Sequence, residues 1–356
     1  MRRATATLVE EYWQAQERIG AQVAAQAVAQ WSRVNPHSLE ESGAAWLAWM
    51  LALVRFERRR SRDQAAAFYR LYRALETGHT VPPLSGEYVG ATTTLGELRE
   101  DWADQSDTIR TPEPDDGEEI RVDGFDWPEE PEEHHDRAAV ASLVSQGPAK
   151  VRQHLNQADT DEARGRLDDG GFLQELEDAV DTAGRSSAGA ADRETLRAGR
   201  DLIDQASKQD RRVVGWARVT DGNPCAFCAM LASRGAIYTS QATAAGGGRR
   251  KPKGAPDGRV RANRRPPVAR EDLTRYHNGC HCQTVPIYSR NDFMPPEARD
   301  YDRQWQEVTR GMTGAEARRA WRRHVEASRQ CLMALARGGG SNAVAGRSPS
   351  WCVGMN

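Results

Sequence analysis

Asp221-Gly222-Asn223-Pro224-Cys225-Ala226-Phe227-Cys228, answered further along by Tyr276-His277-Asn278-Gly279-Cys280-His281-Cys282, is the pair of stretches on which the reading of this chain turns. Four of its six cysteines lie in these two clusters. A Cys-x-x-Cys pair grips one side of a tetrahedral metal, and a second cluster with His and Cys at short spacing supplies the other side. Cys225, Cys228, His277, Cys280 and Cys282 are five candidates for four positions, and His281 is a sixth. Spacing leaves the choice among them open. A filled set of Cys and His ligands is structural, whereas a catalytic zinc keeps a position for water. The surplus of soft ligands therefore favours a structural zinc knot over disulfides, free thiols or a catalytic metal. The helical His-Glu-x-x-His of zinc peptidases does not occur.

Working outward, the run Gly215-Trp216-Ala217-Arg218-Val219-Thr220-Asp221 leads into Pro224-Cys225-Ala226-Phe227-Cys228-Ala229-Met230-Leu231-Ala232-Ser233-Arg234-Gly235, and Tyr276-His277-x-x-Cys280-x-Cys282 follows. Together they resemble the minor head proteins of tailed phages, more narrowly the Mu F-like version carried by phages of actinobacteria, whose members are often labelled capsid maturation protease. The likeness is strong over residues 190–290, weaker over the N-terminal helices, and fades in the acidic segment and the tail. It implies an assembly role. A low-copy component would associate with portal, scaffold or major capsid protein in the procapsid, in the host cytoplasm and then in the virion head. Two rivals stand beside it: a protease that trims scaffold or capsid subunits, and a zinc-bearing DNA-binding protein.

The flanking sequence predicts helices. Leu8, Tyr12, Ala15, Ile19 and Val23 recur at helical spacing, and the pattern runs to Trp31 before Asn35-Pro36 stops it. Ser38-Leu39-Glu40-Glu41 has the form of a capping box, and the helix it opens carries Trp46, Trp49 and Leu53. A third helix is expected over 61–75, with Phe68, Leu71, Tyr72 and Leu75 on one stripe that reads as core rather than as a stacking platform for nucleic acid. The nearby Arg55, Arg58, Arg59, Arg60, Arg62, Arg70 and Arg73 are read as solvating the bundle or pairing with acidic partners.

Between Asp101 and Asp136 acidic residues and prolines dominate, and so little apolar surface predicts a flexible linker. The alternative is an acidic arm docked on a basic partner, anchored by Phe125 and Trp127. Helical periodicity returns with Val140, Leu143 and Val144, breaks at Gly147-Pro148, and resumes with Val151 and Leu155. Further helices are expected over 162–183 and 192–206, the second approaching the first cysteine cluster. Short strands are expected at 213–219, 236–239 and 284–288. The insert 244–270, rich in Gly, Pro, Arg and Lys, is expected to be a mobile basic loop, read as a solvated hairpin ahead of a contact with packaged DNA or an acidic protein surface. A last helix after Thr313-Gly314-Ala315-Glu316 carries Trp321, Val325 and Leu332 inward, with Trp305 packed near it.

The expected architecture is mainly α with a small zinc-stabilised α+β module. Its parts are a helical bundle over 1–95, a linker over 96–136, the Mu F-like domain over 137–290, a helical segment over 291–337 and a tail over 338–356. The chain has 356 residues, 38% of them hydrophobic and 28% charged, with a net charge of −2. That balance marks neither a polyanion binder nor a polyanion mimic over the chain as a whole. Its six cysteines are too few for a disulfide scaffold. No signal peptide opens the sequence, so a reducing cytoplasm is expected. The most apolar run, 44–54, falls short of the roughly 20 residues that cross a bilayer. There is no nucleophile elbow, phosphate loop or dinucleotide fingerprint, and no catalytic residue is assigned; Cys331 and Cys352 are read as ordinary thiols.

Overall fold

The computed structural model describes residues 3–86, 90–157, 171–220, 224–234, 276–278, 280, 282–289 and 296–337. The chain is mostly helical, as expected, and forms two compact units. The larger comprises Thr7–Gln209 with His277–His281; the smaller comprises Met1–Ala6, Asp210–Tyr276 and Cys282–Asn356.

In the larger unit, α1 (Arg3–Trp31) runs antiparallel into α2 (Leu39–Thr77) through a 3-10 turn at Pro36–Ser38, where the Asn35 side chain accepts from the His37 amide. Proline fixes the backbone for that turn and ends the first helix. Ser38 stands at the start of α2 but makes no side-chain capping bond. The capping-box pattern is present there without its geometry. The third helix expected at 61–75 is the second half of α2, which continues unbroken for 39 residues until Gly78 takes a left-handed φ of 71°. Only a residue without a Cβ adopts that conformation cheaply. No proline or glycine after Gly43 interrupts the helix, so nothing in the covalent chain required a break at Ser61.

Three short strands follow the end of α2. β1 (His79–Thr80) and β2 (Thr92–Thr94) flank β3 (Glu119–Val122), parallel and antiparallel to it respectively. Between them, α3 (Leu95–Ser106) opens with a true capping box: Thr94 Oγ1 accepts from the Glu97 amide, and Glu97 reaches back to the Thr94 amide. The helices α4 (Glu132–Gln146) and α5 (Pro148–Gln157) are separated by the expected break at Gly147-Pro148. The two helices expected on the approach to the cysteines are instead one, α6 (Gly171–Gln209); the start expected at 162 lies outside the described residues.

The core of this unit joins Val23, Trp31, Trp46, Met50, Leu143, Val151, Phe172 and Ala188 from five helices. A second aromatic group stacks Tyr12 on Phe68 (ring centroids 4.1 Å apart) and Phe68 on Tyr72 (5.2 Å). Of the stripe expected to be core, Phe68, Leu71 and Tyr72 are buried and Leu75 is half-buried. Trp49, by contrast, is 37% exposed.

The segment expected to be a flexible linker is folded onto the bundle. It contains α3 and β3, and its carboxylates meet the arginines of α2: Glu130 with Arg58 at 2.8 Å, Asp136 with Arg55 at 2.8 Å and Asp123 with Arg73 at 2.8 Å. Phe125 and Trp127 pack around Tyr69, and Trp127 Nε1 donates to the Pro82 carbonyl. Composition pointed to self-repulsion; the arginines of α2 neutralise that charge, and two aromatic rings supply burial. The boundary expected within 96–136 gives way to one unit that continues to Gln209.

In the smaller unit, β4 (Gly215–Val219) and β5 (Gln283–Ile287) pair antiparallel, with Ala217 opposite Val285. The strand expected at 236–239 and the basic insert lie outside the described residues. The short helix α7 (Ala226–Ala232) begins at the first cysteine pair. Against it pack α8 (Pro296–Val308) and α9 (Gly314–Arg337). Trp321 is the centre of that contact: it is 1% exposed, meets Trp305 edge-on at 5.3 Å, and donates from Nε1 to the Ala226 carbonyl at 2.8 Å. No helix among the described residues is long and apolar enough to cross a membrane.

Candidate metal centre

Cys225 stands at the turn before α7, in extended conformation, and its sulfur accepts from the Cys228 amide at 3.4 Å. The spacing causes this directly: two residues are enough to turn the chain into a helix and bring the second thiol beside the first. On the other side, the Cys280 amide donates to the His277 carbonyl at 3.0 Å, a tight turn that returns the chain toward β5. Cys282 sits at the start of that strand.

The ligand atoms of Cys225, Cys228 and His277 lie within 4.8 Å of one another, and so do those of Cys228, Cys280 and Cys282. All five residues singled out by sequence therefore fall into two overlapping groups that share Cys228. His281 lies outside the described residues. Cys228, Cys280 and Cys282 are 0%, 2% and 2% exposed, so these three sulfurs are closed off from water. His277 is exposed, and its Nδ1 faces the Asn278 carbonyl at 2.9 Å. A carbonyl can only accept, so Nδ1 carries the proton and Nε2 keeps the lone pair that a metal needs.

The surroundings fit thiolates. Arg218, on β4, is 1% exposed and donates from Nη1 to Cys228 Sγ at 3.2 Å; its guanidinium also lies over the Tyr276 ring, 4.9 Å from the centroid. A buried guanidinium is costly unless it meets negative charge. Several thiolates around a divalent ion would leave net negative charge, which this arginine would offset. The second ligand turn is held from α6: Arg200 donates to the Cys280 carbonyl, and Arg193 donates to Asn278 Oδ1 at 2.7 Å.

Arg218, Arg200 and Arg193 were not candidate site residues. For Arg218 the signal was its place within a strand run, Trp216-Ala217-Arg218-Val219, where a charge flanked by apolar residues calls for a partner. Nothing local marked the other two.

A second polar cluster lies within the larger unit. His135 is 2% exposed, with Nδ1 3.1 Å from Glu130 Oε1 and Nε2 3.0 Å from Asp201 Oδ2. Burial alone would lower its pKa. The hydrogen bonds that the imidazolium donates to Asp201 and Glu130 outweigh that and raise it above the ordinary 6.5. Arg58 and Arg197 complete the charge balance, against Glu130 and Asp201.

A helical chain with a Cys/His set able to hold a metal ion is the class that these observations define. A family model described as VG15 protein matches residues 130–308, half of the chain. The chain belongs to the VG15 protein family, a viral, phage-associated family. No curated protein and no solved structure matches it.

Proposed function

We propose that this chain is a head-morphogenesis protein of a tailed phage, a minor capsid component of the Mu F-like kind, whose Cys/His cluster holds a structural zinc. The family match supports the phage setting, and the motif resemblance narrows it to the head. The observation that carries the metal reading is the clustering of five Cys and His ligands around Cys228, with three sulfurs buried and Arg218 against one of them. Soft thiolates with one imidazole suit zinc, and buried sulfurs suit a closed site rather than one open to water. Bound there, zinc would tie the Cys225–Cys228 turn to the turn at His277–Cys282.

On this reading the protein works by association. Portal, scaffold or major capsid protein is the partner class, the host cytoplasm is where assembly occurs, and the virion head is where the chain ends up. Contact of the insert with packaged DNA belongs to the same proposal. Mass spectrometry of purified heads, beside the chain expressed alone, tests it: the expected result is the intact chain in heads at low copy number. Absence from heads would overturn the reading. So would a folded, metal-replete alanine variant at a Ser, Thr, His, Asp or Glu between Arg137 and Tyr288 that blocks cleavage of a head protein, since loss of a nucleophile removes orders of magnitude in rate without unfolding the chain.

A further inference from the structure

We infer that the solvent face of α9 binds the phosphate backbone of DNA through Arg318, Arg319, Arg322 and Arg323. The helix turns once in 3.6 residues, so 318 stacks on 322 and 319 on 323, and the four guanidiniums form two adjacent rows. All four side chains are exposed. None makes an ion pair or hydrogen bond with another described residue. Six arginines of the larger unit are used differently: Arg55, Arg58, Arg60, Arg70, Arg73 and Arg99 each meet a carboxylate.

The opposite side of α9 is anchored. Ala317, Ala320, Trp321 and Val325 are buried, and the Trp321 bond to Ala226 ties the helix to the turn that carries the first cysteine pair. The arginines are thus presented on a rigid support, which lowers the entropy lost on binding. The chemistry of the face chooses between two kinds of acidic partner. Protein interfaces centre on apolar and aromatic anchors, and between Gly314 and Gln330, the part of α9 whose side chains are described, no large hydrophobic residue is exposed. Protein–DNA interfaces are polar and strongly positive, and guanidinium pairs phosphate oxygens bidentately. Glu316 and Glu326 stand at the two ends of the arginine rows and confine the positive field to about two turns. Because α9 begins at Gly314, beyond the matched residues 130–308, this face belongs to this chain rather than to what the family match covers.

Fluorescence anisotropy of the full-length chain on a short, mixed-sequence DNA duplex, repeated over a salt series, tests the inference. Wild type should bind with log affinity falling linearly against log salt. The variant R318Q/R319Q/R322Q/R323Q should lose about four units of that slope, about one per phosphate contact, and the four-lysine variant should keep most of it. Circular dichroism checks that helix content is unchanged; if the glutamine variant loses it, R318Q/R322Q carries the test with an expected loss of about two units. An unchanged slope in the folded variant would overturn the inference, as would a wild type that does not bind. Competition by poly-glutamate as strong as that by DNA would also overturn it, in favour of an acidic protein surface.

Discussion

Cys228 is the residue on which the metal centre depends most, because it alone belongs to both ligand groups. Cys228→Ser is expected to abolish metal retention, read as metal per chain after gel filtration. Loss of Cys225 or Cys282 removes one ligand from one group, and those variants should bind more weakly and become sensitive to protease. Cys352→Ser should change neither property. His135 supplies an independent residue-scale prediction. Its folded pKa lies above the unfolded value, so its contribution to stability is complete below about pH 6.5 and is lost as pH rises through the raised folded value. Urea unfolding midpoints between pH 6 and pH 9 should show this fall in wild type, and His135→Gln should flatten it. An identical pH dependence in both proteins would show that the Glu130–His135–Asp201 bridge contributes nothing.

At the scale of elements, α3 shows how a small pattern can outweigh composition. Thr94-Leu95-Gly96-Glu97 opens a helix with both capping bonds made, and Leu95, Leu98 and Trp102 bury its inner face. Thr94→Ala should destabilise the protein by about 0.5–2 kcal/mol, measured by chemical denaturation. Gly199 marks a different constraint, for a Cβ there would lie 2.8 Å from the Ser61 backbone carbonyl and 2.7 Å from its hydroxyl. Gly199→Ala should therefore push α6 away from α2 and cost about 1–3 kcal/mol despite the higher helix propensity of alanine.

These elements also show what sequence made legible. Helical spacing located α1, α4 and α5, the alternating runs located β4 and β5, and the five Cys and His candidates fall into the two groups that could hold a metal ion. Local pattern has no means of counting long helices, since a solvated polar turn inside α2 or α6 resembles a connection. It also cannot foresee that acidic residues at 115–136 meet arginines far away in the chain, because the pairing of Arg58 with Glu130 or of Arg73 with Asp123 is a property of the folded bundle. Ser38-x-x-Glu41 and Thr94-x-x-Glu97 share one signature, and only the second makes it a cap.

For the molecule as a whole, the docking of the acidic segment changes what limited proteolysis should find. Residues 101–136 are expected to resist cleavage near neutral pH, and Arg58→Ala combined with Arg73→Ala should expose them. Rapid cutting of wild type in this region would contradict the ion pairs and aromatic contacts described above. The metal centre is the central claim, and metal analysis of full-length protein purified under reducing conditions, with no metal added, tests it most directly. The account predicts close to one zinc per chain, with Cys225, Cys228, Cys280 and Cys282 unreactive toward a thiol reagent until a chelator strips the metal. Protein free of metal, in which those four thiols react at once while the helices stay intact, would contradict it.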